Sequence, residues 1–196
     1  MKKYIAFMLT IVLLLCSTGC SSIALQNNNH EFIITPKRCN SLFSCNPNEV
    51  RDAFEHSPWI EGHFVSATEN EDGNLLLVLS DSDIRFWKAY IEKKIEKYHE
   101  LSKVDGLRFE LNESYTSLTY YSTKELMLAV GWTMTEIALY CGLMQMLNGD
   151  DPNTWYVDVA MADVETGKIV GQGRIPDEEF NVSSEDWDRV LGEAVE

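Results

Sequence analysis

Short runs of alternating apolar and polar residues predict three β-hairpins along the chain. The paired segments are residues 62–68 with 74–80, 107–111 with 115–121, and 155–162 with 168–175. A period of two places the apolar side chains of a strand on one face. The first and third loops contain Gly73 and Gly167, and glycine adopts the left-handed backbone of a tight turn without strain.

Apolar residues that recur every three or four positions predict a long helix after the first hairpin. Asp81 or Ser82 can cap its start, and Gly106 follows its end. Its apolar positions are Ile84, Trp87, Ile91, Ile95, Tyr98 and Leu101. Shorter helices are predicted from Asn46-Pro47 to about His56 and near Ser183 or Ser184, because Asn and Ser are favoured N-caps.

Residues 126–147 form a long apolar stretch with two interpretations. Glu136 is its only charged residue, so it can be a buried central helix or a membrane span. In an exported protein the far end of a span would face the cytoplasm, where basic residues are expected. Asp150 and Asp151 follow instead, and the first later basic residue is Lys168. This order of charges favours the buried helix over the span.

The elements follow the order hairpin, helix, hairpin, helix, hairpin, which predicts an α+β fold. We expect an antiparallel sheet of about six strands, covered mainly on one face by the two long helices. Residues 36–196 are expected to form this single domain. The polar and Asn-rich segment within residues 20–35 is expected to be a flexible tether.

The N-terminus, MKKYIAFMLTIVLLLCSTGCSS, has the basic start, apolar centre and small residues of an export signal. Its apolar stretch would be roughly 20 Å long as a helix, short of the roughly 30 Å hydrocarbon core. The segment Ser17-Thr18-Gly19-Cys20 resembles the lipobox of bacterial lipoproteins, with Ser17 where that family usually has leucine. The alternative is an ordinary secreted protein with a free Cys20.

The resemblance to lipoproteins implies a signal peptide over residues 1–19 and a lipidated Cys20 that anchors the chain through acyl groups. Ser21 stands where this family uses aspartate for retention in the inner membrane. The resemblance therefore implies the periplasmic face of the outer membrane in a Gram-negative host, and the cell membrane otherwise.

The acidic balance of the chain restricts its partners. The first 19 residues hold two of the 16 basic residues and none of the 31 acidic ones, which leaves 14 against 31 and a formal charge of −17. This charge argues against nucleic-acid binding and against docking on anionic lipid, since both require basic clusters. A basic protein partner would be favoured electrostatically, especially by the 13 acidic residues of segment 150–196.

Three cysteines follow Cys20 in the sequence. Cys39 and Cys45 can close a small disulfide loop in an oxidising exported compartment, although two reduced thiols are the alternative. Cys141 lies in the apolar stretch and is expected to pack as a small hydrophobic residue.

Glu136 is the candidate for a buried acid. If it faced the core, it would need a raised pKa or a buried partner, which is how a general acid is often made. The alternative is a solvent-facing helix position. Its spacing ties it to no second acid, histidine or nucleophile, so the sequence identifies no catalytic residue.

Motifs for a metal or a cofactor are weak or missing in the sequence. His56 and His63, with Glu55 and Glu61 beside them, have no zinc-site spacing, and we expect no metal site there. Gly171-Gln172-Gly173 is too short for a phosphate loop, and we expect no cofactor.

Three functions remain open. We favour a lipid-anchored cell-envelope protein whose non-catalytic domain binds a protein or a small ligand. An envelope hydrolase acting on cell wall or lipid is one alternative, and an inhibitor or immunity lipoprotein against a basic toxin is another. The aromatic residues exceed what one helix stripe requires, so some of them can form a cleft or a protein-binding surface.

Overall fold

The computed structural model describes residues 28–56, 62–104, 107–178 and 180–192. Its helices are α1 (Pro36–Phe43), α2 (Pro47–His56), α3 (Asp81–Val104), α4 (Met127–Leu147) and α5 (Ser184–Leu191). Its strands are β1 (Asn29–Ile34), β2 (Ser66–Glu69), β3 (Leu75–Ser80), β4 (Arg108–Leu111), β5 (Ser117–Ser122), β6 (Val157–Asp163) and β7 (Ile169–Ile175). The α+β class predicted from the sequence is confirmed.

The strands form two sheets. Sheet 1 has three antiparallel strands in the order β1-β3-β2, and sheet 2 has four strands in the order β4-β5-β6-β7. The three predicted hairpins are confirmed as the antiparallel pairs β2 with β3, β4 with β5, and β6 with β7. Gly167 has a φ of 71° in the last turn, as the turn requires.

The prediction of one antiparallel sheet of about six strands is wrong in its long-range pairing. β3 pairs with β1 and β2 on its two edges, and among the described residues these three strands form a sheet separate from the other four. In sheet 2, β5 and β6 run parallel, because the intervening α4 carries the chain back to the end at which β5 began.

Part of the predicted tether belongs to the fold. Asn29–Ile34 forms β1, the side chain of Ile34 is fully buried, and residues 36–43 form α1 directly afterwards. The sequence shows no clear strand pattern here, because only Phe32 and Ile34 are buried and the strand begins with polar residues such as Asn29 and His30. Residues 20–27, which include the rest of the predicted tether, lie outside the described residues.

The two long helices lie where the sequence predicts them, α3 from its periodicity and α4 from its length of apolar residues. α3 contacts β3 of sheet 1 and β4 of sheet 2, while α4 packs on α3 and contacts β5 and β6. The buried face of α4 includes Met134, Ile137 and Cys141, each fully buried, which confirms the buried-helix interpretation. Among the described residues, none of the helices has the length and hydropathy needed to cross a membrane.

Candidate functional site

The corner between α1 and α2 is fixed by capping hydrogen bonds. α1 ends at Phe43, and the next residue, Ser44, has a left-handed backbone (φ 55°) and donates its amide hydrogen to the Asn40 carbonyl at 2.9 Å. At the start of α2 the Glu49 amide donates to Asn46 Oδ1 at 3.0 Å, and the Asn46 amide donates to Glu49 Oε2 at 2.9 Å. The predicted helix start at Asn46-Pro47 is therefore confirmed. Apolar side chains of this corner face a common cavity: Phe43, Cys45, Val50 and Ala53.

The start of α3 fixes a second wall of the cavity. Ser80 caps the helix, since the Asp83 amide donates to Ser80 Oγ at 3.3 Å and Ser80 Oγ donates to Asp83 Oδ2 at 2.6 Å. The predicted cap at Asp81 or Ser82 is thus wrong by one or two positions. Further along, Trp87 Nε1 donates to the His63 carbonyl at 2.8 Å, which fixes the indole ring beside sheet 1.

The third wall comes from α4. Tyr140, Leu143 and Leu147 are spaced by three and four residues, so their side chains lie on one face of the helix. Together with Met146 they complete the lining formed by α3 and by β3. The lining residues from α3 and β3 are Leu77, Leu79, Trp87, Tyr90 and Ile91.

The cavity between these walls is about half open to solvent and has a volume of about 270 Å³. A cavity of roughly 150 Å³ lined by apolar side chains stays dry and takes up benzene, and pockets for larger ligands begin at about 300 Å³. This cavity is therefore suited to one small apolar molecule or one short hydrocarbon chain. Its lining is almost wholly apolar, so water inside it would lack hydrogen-bond partners.

A group of polar side chains lies beside the cavity. Tyr140 lines the cavity with its ring and donates its hydroxyl hydrogen to Glu136 Oε1 at 2.9 Å. From α3, Tyr98 Oη donates to Glu136 Oε2 at 2.5 Å. We call Tyr98, Glu136 and Tyr140 the polar rim. Both tyrosine hydroxyls are therefore held by one carboxylate at the junction of α3 and α4.

The polar rim changes the titration of its tyrosines. Burial raises the pKa of Tyr98 to about 12, and the hydrogen bond to Glu136 and its negative charge add to the shift. Burial raises the pKa of Tyr140 further, again with help from the bond to Glu136. Both hydroxyls stay protonated at neutral pH, so they keep donating to the carboxylate.

A second apolar surface lies on the outer side of α4. Leu128 and Trp132 expose 76% and 84% of their surface, and we call these two residues the α4 patch. They are four positions apart and so lie on the same helix face. Beside them runs a shallow groove lined also by Met127, Gly131, Met161, Phe180 and Val182. Exposed aromatic residues of this kind are typical of protein contacts.

The structure does not support Glu136 as a buried acid. Glu136 is exposed, because the core-facing stripe of α4 runs through Met134, Ile137 and Cys141 and leaves position 136 outside it. A general acid would need burial in an apolar core, and Glu136 instead takes the alternative, solvent-facing helix position. The carboxylate instead serves as the acceptor that holds the two rim tyrosines.

The cysteines of the sequence analysis lie in different surroundings. Cys20 lies outside the described residues, so its lipidation stays a prediction. Cys39 and Cys45 are free thiols in the structure, Cys39 buried and Cys45 half-buried at the cavity wall, and their disulfide also stays a prediction. Burial, together with the neighbouring Cys45, raises the pKa of Cys39 to about 11. Cys141 is fully buried as expected, and burial raises its pKa to about 12.

The histidines considered as metal ligands in the sequence, His56 and His63, have other partners in the described part of the chain. His63 stacks on Phe86 with ring centroids 3.4 Å apart, and His56 bonds through Nδ1 to the Asp52 carbonyl at 2.9 Å. Glu61 lies outside the described residues. Within those residues, no group of three or more His, Cys, Asp or Glu side chains is placed to hold a metal ion.

The sequence shows more aromatic residues than one helix face requires, but it does not show which of them line a cavity, lie on the surface or belong to the core. Trp87 and Tyr90 line the cavity, Trp132 stands on the surface, and Tyr120 and Trp155 are core residues. No family model, no curated protein and no solved structure matches the chain.

Proposed function

We propose that the protein is a lipid-anchored cell-envelope protein whose α+β domain binds a small apolar ligand without transforming it. The observation that carries this proposal is the half-open apolar cavity of about 270 Å³ lined by the α1–α2 corner, β3, α3 and α4. The lipobox resemblance at Cys20 supports the anchor and the envelope location. Both fit a chain whose acidic charge disfavours nucleic acid.

Physical chemistry favours occupation of the cavity. An unfilled apolar cavity costs the lining side chains part of their dispersion contacts, and water cannot restore them without polar partners. An apolar ligand restores these contacts and leaves water itself, so both effects favour binding. Ala53 is an exposed residue that also lines the cavity, so it marks a place where a ligand can enter.

Binding of the fluorescent apolar probe N-phenyl-1-naphthylamine tests the proposal. We expect saturable binding to the wild-type chain and loss of it in Ala53→Trp, because the indole would fill the entrance. Ala89→Trp is the matched control, since Ala89 is also exposed on a helix but does not line the cavity. Equal binding to both variants, or no saturable binding to the wild type, would rule out the cavity as a ligand site.

The anchor is tested separately by labelling cells with radioactive palmitate. We expect label in the wild-type chain and in the membrane fraction, and neither in Cys20→Ser. A secreted, unlabelled wild-type protein would support the alternative with a free Cys20.

Binding of an envelope protein is a second candidate function, favoured by the exposed α4 patch. A basic partner fits best, because opposite net charges speed association and the patch supplies an uncharged aromatic anchor. Cross-linking in the native cell should capture a partner with wild-type protein and lose it in Trp132→Ala. Leu101→Ala removes an exposed apolar side chain elsewhere and should keep the partner. Equal capture by both variants would count against the α4 patch.

A further inference from the structure

The polar rim indicates which chemical head group a ligand of the cavity would carry. This inference rests on the ligand-binding function proposed above. Tyr140 belongs to both regions, since its ring lines the cavity and its hydroxyl bonds to Glu136. A ligand that fills the cavity with its head beside Tyr140 would bring that head near Glu136, which is exposed.

The polar rim can accept hydrogen bonds from a ligand, but its two tyrosine hydroxyls already donate theirs to Glu136. The hydroxyl hydrogens of Tyr98 and Tyr140 are both donated to Glu136. A hydroxyl has one hydrogen to donate and two lone pairs, and a carboxylate offers about four acceptor sites. With the donors used, the rim offers a ligand free lone pairs and a negative charge. Its chemistry complements a head group that donates hydrogen bonds or carries positive charge.

One cation near the cavity, Lys94, acts against this preference, because its positive charge attracts a carboxylate head. Lys94 Nζ lies 5.3 Å from the ring centroid of Tyr90, another lining residue, in a cation–π arrangement. A carboxylate head would bring a second set of acceptors next to Glu136. The two negative charges would repel each other.

We propose that the cavity takes a single-chain amphiphile with a hydrogen-bond-donating head, an amine or an alcohol, and rejects the matching carboxylate. The chain is short, because the cavity volume of about 270 Å³ is less than twice the roughly 150 Å³ that holds one benzene. Glu136 acts here as a specificity-determining residue for the head group.

Three probes with the same eight-carbon chain test this inference: octylamine, 1-octanol and octanoate. They are titrated at pH 7 against the full chain carrying Cys20→Ser, which needs no detergent, with displacement of N-phenyl-1-naphthylamine as the readout. We expect octylamine to bind about tenfold more tightly than octanoate, as one charge-assisted hydrogen bond would give. Octanol should fall between them.

Glu136→Gln removes the charge and should reduce the preference of octylamine over octanoate to about threefold or less. Octanol binding should change by less than about twofold, which would show that the fold and the cavity are intact. Glu110→Gln is the matched control, because Glu110 is also an exposed carboxylate that accepts from a tyrosine, Tyr121, at 3.1 Å. It should leave the preference unchanged.

The outcomes separate this inference from the proposed function. If all three probes bind equally and Glu136→Gln changes nothing, the cavity stands and the assigned head group is wrong. Tighter binding of octanoate would also contradict it and would point to Lys94 as the head-group contact. If neither the fluorescent probe nor the three amphiphiles bind, the proposed function itself fails.

Discussion

Gln145 is the polar side chain that joins α4 to sheet 2. It is 3% exposed, and its Nε2 donates to the carbonyls of Tyr115 at 2.7 Å and Tyr156 at 2.8 Å. These carbonyls lie just before β5 and β6, so one amide ties both strand starts to the helix. A buried carbonyl that loses its donor bears the full cost of its desolvation.

Gln145→Leu should therefore destabilise the fold by about 1–3 kcal/mol although it preserves side-chain volume. Urea unfolding of the two proteins measures the difference. Gln172→Leu is the control, because Gln172 is exposed on β7, and surface changes of this kind usually stay within about 0.5 kcal/mol. Equal stability of Gln145→Leu and wild type would show that the Gln145 amide is not needed to hold the starts of β5 and β6 on α4.

At the scale of the element, α4 contains two glycines in opposite surroundings. A Cβ atom on Gly142 would lie 2.6 Å from Cε3 of the fully packed Trp155, whereas a Cβ on Gly131 would meet nothing within 4 Å. Gly142 thus allows the helix to approach the aromatic ring closely. Gly131 has no such neighbour and only weakens the helix.

The different surroundings of Gly131 and Gly142 predict opposite effects on stability when each is replaced by alanine. Gly131→Ala should stabilise the protein by about 0.5–1 kcal/mol through helix propensity. Gly142→Ala should destabilise it by about 1–3 kcal/mol, because the overlap with Trp155 outweighs the same propensity gain. Thermal unfolding of both variants gives the sign directly. Stabilisation by Gly142→Ala would show that α4 and Trp155 are not packed this closely.

β1 depends on a polar contact with the start of α3. Asp81 accepts a hydrogen bond from His30 at 2.7 Å and another from the Asn28 amide at 3.1 Å. The bond from His30, then that from Asn28, lowers the pKa of Asp81 below its usual 3.8. A lowered pKa in the folded state means that this contact is fully present above pH 3.8 and is lost as the pH falls through the lowered value.

Asp81→Asn should consequently loosen β1 at neutral pH. We expect faster amide hydrogen exchange over residues 29–34 and unchanged exchange in β6, measured by mass spectrometry. Asp72→Asn alters an exposed acid in the turn before β3 and serves as the control. Unchanged exchange in β1 of Asp81→Asn would mean that the main-chain pairing with β3 holds the strand without this contact.

Elements with strong periodicity were predictable from the sequence, and long-range partners were not. The three hairpins, α3 and α4 follow from local patterns, and so does the cap of α5, where the Asp186 amide donates to Ser183 Oγ at 3.3 Å. β1 and α1 carry too few apolar residues to show a pattern. The parallel pairing of β5 with β6 depends on the path of α4, which local alternation does not encode.

At the scale of the whole molecule, the cavity depends on four parts of the chain that the sequence keeps far apart. Local patterns assign Leu79, Trp87 and Leu143 to a strand and two helices, but they cannot show that these elements leave a gap between them. The charge of Glu136 was visible in the sequence, whereas its two tyrosine donors lie on different helices. The fold was therefore easier to anticipate than the site.

The most direct test of the ligand cavity is an NMR titration with octylamine of protein labelled with ¹³C at the methionine methyl groups. Met146 lines the cavity, whereas Met134 and Met161 are buried elsewhere. We expect a saturable shift of the Met146 methyl signal with the signals of Met134 and Met161 nearly unchanged, and no shift of Met146 in Ala53→Trp. A Met146 signal that stays fixed while the probe reaches saturating concentration would contradict the account.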